Sequence, residues 1–163
     1  MGSRRRLGDQ QVRELVEALR DLRWSWTSKD IDWLIDEFGW TVEYRDEAIV
    51  ELDIGVGTKS GELVLDDHGG VETISVDLCS RIDRRSAAER WWLQDLFAEA
   101  VGLVGQVLGE PTRRRPGAIP EVRWRRSRET LGVVHYSVVV GLFLTPNHWL
   151  DFAERYGESD DDD

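Results

Sequence analysis

The chain has a single cysteine, Cys79, and no apolar run long enough to span a bilayer. One cysteine cannot form an intramolecular disulfide, which excludes a disulfide-stapled scaffold and fits a reducing compartment. Cys79 falls on a predicted strand, where a packed, inert thiol is favoured over a nucleophile. The longest apolar stretches, Val133–Val140 and Leu142–Leu144, are interrupted by His135, Tyr136 and Gly141. A membrane-spanning helix needs roughly 20 apolar residues. The basic run Arg4-Arg5-Arg6 leads into Gly8-Asp9-Gln10-Gln11 and a charged amphipathic stretch, not the apolar core of a secretory signal. A cytoplasmic location is the expectation.

Histidine and lysine are also scarce. Metal hydrolysis needs clustered ligands at short fixed spacings, and nucleophilic catalysis needs a base beside its nucleophile. His68, His135 and His148 form no His-x-x-x-His pair, and no Cys-x-x-Cys exists. Gly55-Val56-Gly57-Thr58-Lys59-Ser60-Gly61 lacks the glycine spacing and the strand-to-helix context of a phosphate loop, so it reads as a hairpin connection. Asp66-Asp67-His68 followed by Gly69-Gly70 reads as a turn before it reads as a cation site. These patterns point to no cofactor, no metal and no enzymatic activity. A small hydrolase or transferase using carboxylates with His135 or His148 is the weakest alternative.

Acidic charge, by contrast, is abundant. The net charge of −11 repels nucleic acid and anionic membranes at long range and favours encounter with a basic protein. Simple solubility is the other reading of the same number. With 40% hydrophobic residues and eight tryptophans in 163 residues, one core can close. The predicted fold is α+β, a single domain over 1–157 followed by a disordered acidic tail over 158–163.

Apolar periodicity predicts a helix capped by Asp9 and running to about Asp21, with Val12, Leu15, Val16, Leu19 and Leu22 on its core face. Thr27-Ser28-Lys29-Asp30 resembles a capping box for a second helix that Gly39 stops. The two helices are expected to form an antiparallel pair or corner. Four antiparallel strands follow: one in which Trp40, Val42 and Tyr44 share a face and alternate with Thr41, Glu43 and Arg45, then Val50–Ile54, Glu62–Leu65 and Val71–Leu78. Ser86-Ala87-Ala88-Glu89 caps a long helix that ends at Gly109 and covers the sheet. The connector Gly109–Pro120 reads as a loop, and Val122 and Trp124 then alternate with Arg123 and Arg125 as a strand with one basic face. Thr130–Leu144 fits two strands joined near His135-Tyr136-Ser137, or one long bent strand. Thr145-Pro146 is expected to cap a last helix that stops at Gly157. The predicted order is αα-ββββ-α-ββ(β)-α, an antiparallel sheet of about six or seven strands with two N-terminal helices, one long central helix and one C-terminal helix.

Three features are candidate binding elements. Glu51 and Asp53 share one strand face, and Glu43 lies on the neighbouring strand; with 32 acids in the chain, such spacing also arises by chance. Trp24, Trp26 and Trp33 cluster near the first helix connection, as interface anchors or as core. The stretch Arg113-Arg114-Arg115 through Arg123, Arg125, Arg126 and Arg128 is a positive island opposed within it by Glu121 alone. Those arginines could neutralise the protein's own acids, meet an acidic partner or, least favoured, touch nucleic acid.

The segments Leu22-Arg23-Trp24-Ser25-Trp26, Phe38-Gly39-Trp40, Leu108-Gly109-Glu110-Pro111-Thr112 and Thr145-Pro146-Asn147-His148-Trp149-Leu150 together resemble an uncharacterised family of small acidic actinobacterial proteins. In size, acidity and arrangement the chain is also similar to immunity proteins of bacterial polymorphic toxin systems. That resemblance implies a non-enzymatic protein that binds a basic toxin domain. A secretion-chaperone-like binding domain is the alternative. The expected carriers are Trp24, Trp26, Trp33, Glu43, Glu51 and Asp53, with Arg123 and Arg125 from the basic island.

Overall fold

A computed structural model describes residues 5–156. Arg4 of the leading basic run, the expected stop at Gly157 and the tail 158–163 lie outside the described residues. Helix α1 spans Asp9–Arg20 and α2 spans Ile31–Phe38. Strands β1 (Thr41–Arg45), β2 (Ile49–Asp53), β3 (Gly61–Leu65) and β4 (Val71–Asp77) follow. Helix α3 (Ala87–Leu108) leads to β5 (Arg113–Arg115), β6 (Glu121–Arg125), β7 (Glu129–His135) and β8 (Val140–Pro146), and α4 (Asn147–Tyr156) comes last. The strands form one eight-stranded antiparallel sheet in the order β1-β2-β3-β4-β8-β7-β6-β5. Two four-stranded meanders, each preceded by helix, thus meet through their last strands, β4 and β8, at the sheet centre.

The sheet therefore has eight strands, not six or seven. The additional strand is β5, inside the connector read as a loop: Arg113 pairs with Arg123 and Arg115 with Glu121. Three consecutive arginines carry no apolar alternation, so backbone pairing at the sheet edge, where charge is tolerated, makes this strand. Thr130–Leu144 is resolved as the β7–β8 hairpin, closed by the Tyr136 amide on the Val139 carbonyl.

Three helix starts differ from expectation. Gly8, not Asp9, precedes α1, and its amide donates to the Gln11 side chain at 2.8 Å. Thr27-Ser28-Lys29-Asp30 forms a 3-10 turn over Ser28–Asp30 before α2, and the Thr27 hydroxyl bonds Ser25 at 2.6 Å instead of capping. β8 runs on through Thr145 and Pro146, so α4 begins at Asn147; the Thr145 hydroxyl is held by Thr73 across the sheet at 2.7 Å. The Ser86 cap of α3 forms as expected, its hydroxyl accepting the Glu89 amide at 3.2 Å. Gly39 ends α2 with φ of 70°, a left-handed conformation natural to glycine.

One face of the sheet carries the core. Val50, Leu52, Leu63, Ile74, Val76, Leu131, Val133, Leu142 and Leu144 are buried there with Val12, Val16 and Leu19 of α1 and Leu93, Leu96, Ala100 and Val104 of α3. α1 packs along α3, not as the expected pair with α2, and the Arg6 guanidinium bridges Asp9 of α1 to Glu99 of α3 at 2.7 and 2.6 Å. The opposite face is divided. α4 lies over β7 and β8, and near them Phe143 occupies the space left by Gly132, where an added methyl would come within 2.1 Å of the ring. On β2–β4 the same face remains partly open.

Candidate interaction surface

Strand alternation decides which side chains that open half presents. Val50 and Leu52 enter the core, so Glu51 and Asp53 point the other way; Leu63 enters, so Glu62 points out; Ile74 and Val76 enter, so Thr73, Ser75 and Asp77 point out. All six outward residues are half-buried. Register then sets the neighbours: Glu51 stands directly opposite Glu62, and Glu62 opposite Ser75. Like charges directly opposed on antiparallel strands repel.

The carboxylates respond to this crowding. Burial and the charge of Glu51 raise the pKa of Glu62. Burial, reinforced by Glu62 and offset in part by Arg81, pushes Asp77 up to about 6. The Tyr136 phenol is raised by burial and by Glu121, Asp77 and Glu62. Its ring lies beside Gly141, the residue paired with Asp77; a methyl at Gly141 would stand 3.5 Å from the tyrosine and 3.8 Å from the Asp77 carboxylate. The result is a half-buried acidic floor edged by an aromatic ring, in which negative charge is held against its preference.

The residues singled out from sequence scatter around this floor. Glu51 and Asp53 belong to it, although one oxygen of Asp53 accepts the Gly55 amide at 2.8 Å. Glu43 does not belong: it is the extra residue of a bulge between Val42 and Tyr44, and its carboxylate accepts the Thr58 hydroxyl at 2.7 Å and the Lys59 amide at 2.6 Å. The bulge also separates Val42 and Tyr44, read as sharing a face: Val42 pairs with Leu52 and Tyr44 with Glu51. Glu43 thus clamps the Gly55–Gly61 loop, whose donors serve the protein's own carboxylates. Trp33 is 46% exposed on α2, whereas Trp24 and Trp26 pack partly buried against the core, their ring centroids 5.2 Å apart.

The basic island divides in two. Trp124 points into the core and donates its indole N–H to the Gly109 carbonyl at 2.9 Å. Arg123 is only 4% exposed, and Arg125 on the same face is accessible but paired, so the basic face of β6 meets the protein's own acids. It bonds Glu121, and Glu154 of α4 at 2.6 Å. Arg113 reaches the same Glu154 at 2.9 Å, and Arg125 clasps Asp151 with two bonds of 2.7 and 3.0 Å. These arginines hold α4 on the sheet. Arg126 and Arg128, on the β6–β7 turn, make no ion pair with any described residue.

The remaining chemistry-bearing residues are dispersed. His135 closes β7 at one end, while His148 follows the Pro146 that pairs with Glu129 at the other, a separation of about 20 Å at roughly 3.4 Å per residue. Asp66 accepts the His68 and Gly70 amides at 2.7 and 2.9 Å, forming a turn. Burial pushes the Cys79 thiol up to about 11. Among the described residues no three His, Cys, Asp or Glu side chains are placed to hold a metal. No described helix is long and apolar enough to cross a membrane.

Sequence reasoning did not single out Glu62, Asp77 or Tyr136. Each lay on or beside a correctly read strand, but their convergence depends on register across β2, β3, β4 and β8. The signal that existed was the outward phase of Glu51, Glu62 and Asp77 on three successive strands.

The chain belongs to the DUF6301 family, a family of unknown function, whose model matches residues 10–146. This match covers every strand and stops where α4 begins. No curated protein and no solved structure matches the chain.

Proposed function

We propose that the protein is a non-enzymatic, cytoplasmic binding protein of the immunity or antitoxin kind, which neutralises a basic partner by docking it on the open half of the sheet. The observation that carries this reading is the direct opposition of Glu51 and Glu62 on a partly open face, next to an Asp77 whose pKa is pushed up to about 6. Natural sequences rarely place like charges opposite one another without a compensating gain. A lysine or arginine from a partner would supply that gain, since an opposing charge within hydrogen-bonding reach restores the ionised form. The net charge of −11 would steer such a partner toward the protein. Tyr44, exposed and paired with Glu51, is the apolar anchor beside these acids, whereas Trp33 is exposed on α2, whose buried side joins the core on the covered face.

Tagged wild-type protein and a Glu51→Lys/Glu62→Lys variant, used side by side to capture proteins from native cell extract, test this reading. A basic protein retained by the wild type, released by salt and lost with the variant is expected. Retention that ignores both substitutions contradicts it.

A second reading, a secretion-chaperone-like domain, draws on β1. This edge strand is exposed along its length, with Val42 and Tyr44 40% and 51% accessible. Such an edge can accept an extended segment of another chain. A strictly monomeric protein whose β1 amides exchange unchanged in the presence of partner would remove this alternative.

A further inference from the structure

On the helix-covered side of the sheet, away from Glu51 and Glu62, four guanidinium groups converge where the end of α1 meets the β6–β7 turn. Arg20, Arg23, Arg126 and Arg128 line a cavity of about 200 Å³, floored by Leu19, Leu131 and Leu144. It opens through Arg23, Ser127 and Arg128 into a groove of about 600 Å³ walled by Trp24, Trp26 and His148. Arg20 is already paired with Asp21 at 2.8 Å. Arg23 donates to the main-chain carbonyls of Leu22 and Arg20 at 2.9 and 3.4 Å, and Arg126 and Arg128 pair with no described carboxylate. Glu129 is the acid that lines the space.

The surroundings are built, not incidental. The buried Asn147 fixes the turn that carries Arg126 and Arg128: its side-chain amide donates to the Arg126 carbonyl and its main-chain amide to the Arg128 carbonyl, both at 2.8 Å. Trp26 is held at φ of 57°, a left-handed conformation costly for a bulky residue and enforced by its carbonyl accepting the Val71 amide at 2.8 Å. The Trp24 indole N–H is buried in the groove wall with no acceptor among the described residues. Strain and unmet hydrogen bonds of this kind concentrate at binding sites.

We propose that this cavity and groove bind a small phosphorylated ligand, a nucleoside monophosphate, with its phosphate among Arg23, Arg126 and Arg128 and its base along Trp24 and Trp26. The cavity is smaller than a typical small-molecule site of about 300–1,000 Å³ and suits a compact anion, while the groove has the size and the indole faces for a flat ring. Planar guanidinium forks match phosphate oxygens, and a bound phosphate would compete there with Glu129, which lines the space, and with Asp21, which pairs with Arg20 and interacts with Arg23 and Arg126. The same net charge of −11 disfavours a long polyanion, which selects a single phosphate over nucleic acid.

Calorimetric titration of the full chain with AMP, inorganic phosphate and adenosine tests the proposal. AMP is expected to bind more tightly than either component. Arg126→Ala/Arg128→Ala, on an exposed turn, should weaken AMP at least tenfold and leave the melting temperature unchanged; Trp26→Ala should weaken AMP more than phosphate. Absence of AMP binding at millimolar concentration, adenosine binding as tightly as AMP, or an Arg126→Ala/Arg128→Ala protein with unchanged AMP affinity would overturn it.

Discussion

Glu51 and Glu62 face each other across β2 and β3 with no residue between them in the register, so two negative charges share one place on the sheet. Replacing Glu62 by Gln removes the repulsion and keeps the shape. At pH 7.5 and low salt, urea denaturation should show Glu62→Gln to be more stable by about 0.5 kcal/mol, the scale of a cross-strand charge pair. The gain should shrink in 0.5 M salt, because the pair is partly exposed and is screened.

Asp77 gives the surface a pH dependence. Its folded pKa is pushed up to about 6 from 3.8, so the folded state holds a proton that the unfolded chain releases. The penalty for burying its charge is absent below about pH 4, grows between pH 4 and 6 and is complete above the folded value. Two pKa units correspond to about 3 kcal/mol, which partial solvent access reduces to roughly 1–2 kcal/mol. Asp77→Asn should therefore be more stable than wild type at pH 7.5 by that amount and equal to it near pH 4. Denaturation curves at the two pH values provide the check.

Arg123 is the reverse case, a buried charge that is well met. Its side chain, 5% exposed, joins Glu121 of its own strand to Glu154 of α4. Truncation leaves Glu154 to Arg113 alone and Glu121 to Arg115 at 3.9 Å, and it loosens the helix. Arg123→Ala should cost about 2–3 kcal/mol, below the roughly 3–5 kcal/mol of an uncompensated buried charge, and amide exchange should show α4 opening first.

Two indoles provide a paired test. The Trp124 N–H is satisfied by the Gly109 carbonyl at 2.9 Å, whereas the Trp24 N–H is buried without an acceptor. Trp124→Phe forfeits a hydrogen bond and strands a carbonyl, at a cost of about 1–3 kcal/mol. Trp24→Phe deletes an unmet donor, so its loss of ring contact is offset, and thermal melts should place it well above Trp124→Phe.

How much of this the sequence disclosed follows the reach of each signal. Local patterning found the amphipathic helix α1, the Ser86 cap of α3 and five of the strands, and it left Thr130–Leu144 as two strands or one, because each of these signals is encoded within a few neighbouring residues. β5 was hidden because Arg113, Arg114 and Arg115 form a strand only through their partner β6. The bulge at Glu43 was hidden because its cause, the Thr58 and Lys59 donors, lies in a loop 15 residues away. Glu51 and Asp53 were recognised as sharing a strand face, but their meeting with Glu62 and Asp77 is a property of register. The basic island read as one feature; folding divides it into arginines that hold α4 and arginines that face the Trp24–Trp26 groove.

Carboxyl-selective labelling of the protein, free and bound to the basic partner it captures, tests the central claim most directly. Glu51, Glu62 and Asp77 should react in the free protein and become protected in the complex, while Glu43, already bonded to its loop, changes little. Unchanged labelling of Glu51, Glu62 and Asp77, with protection at another surface, would contradict binding at the open sheet face.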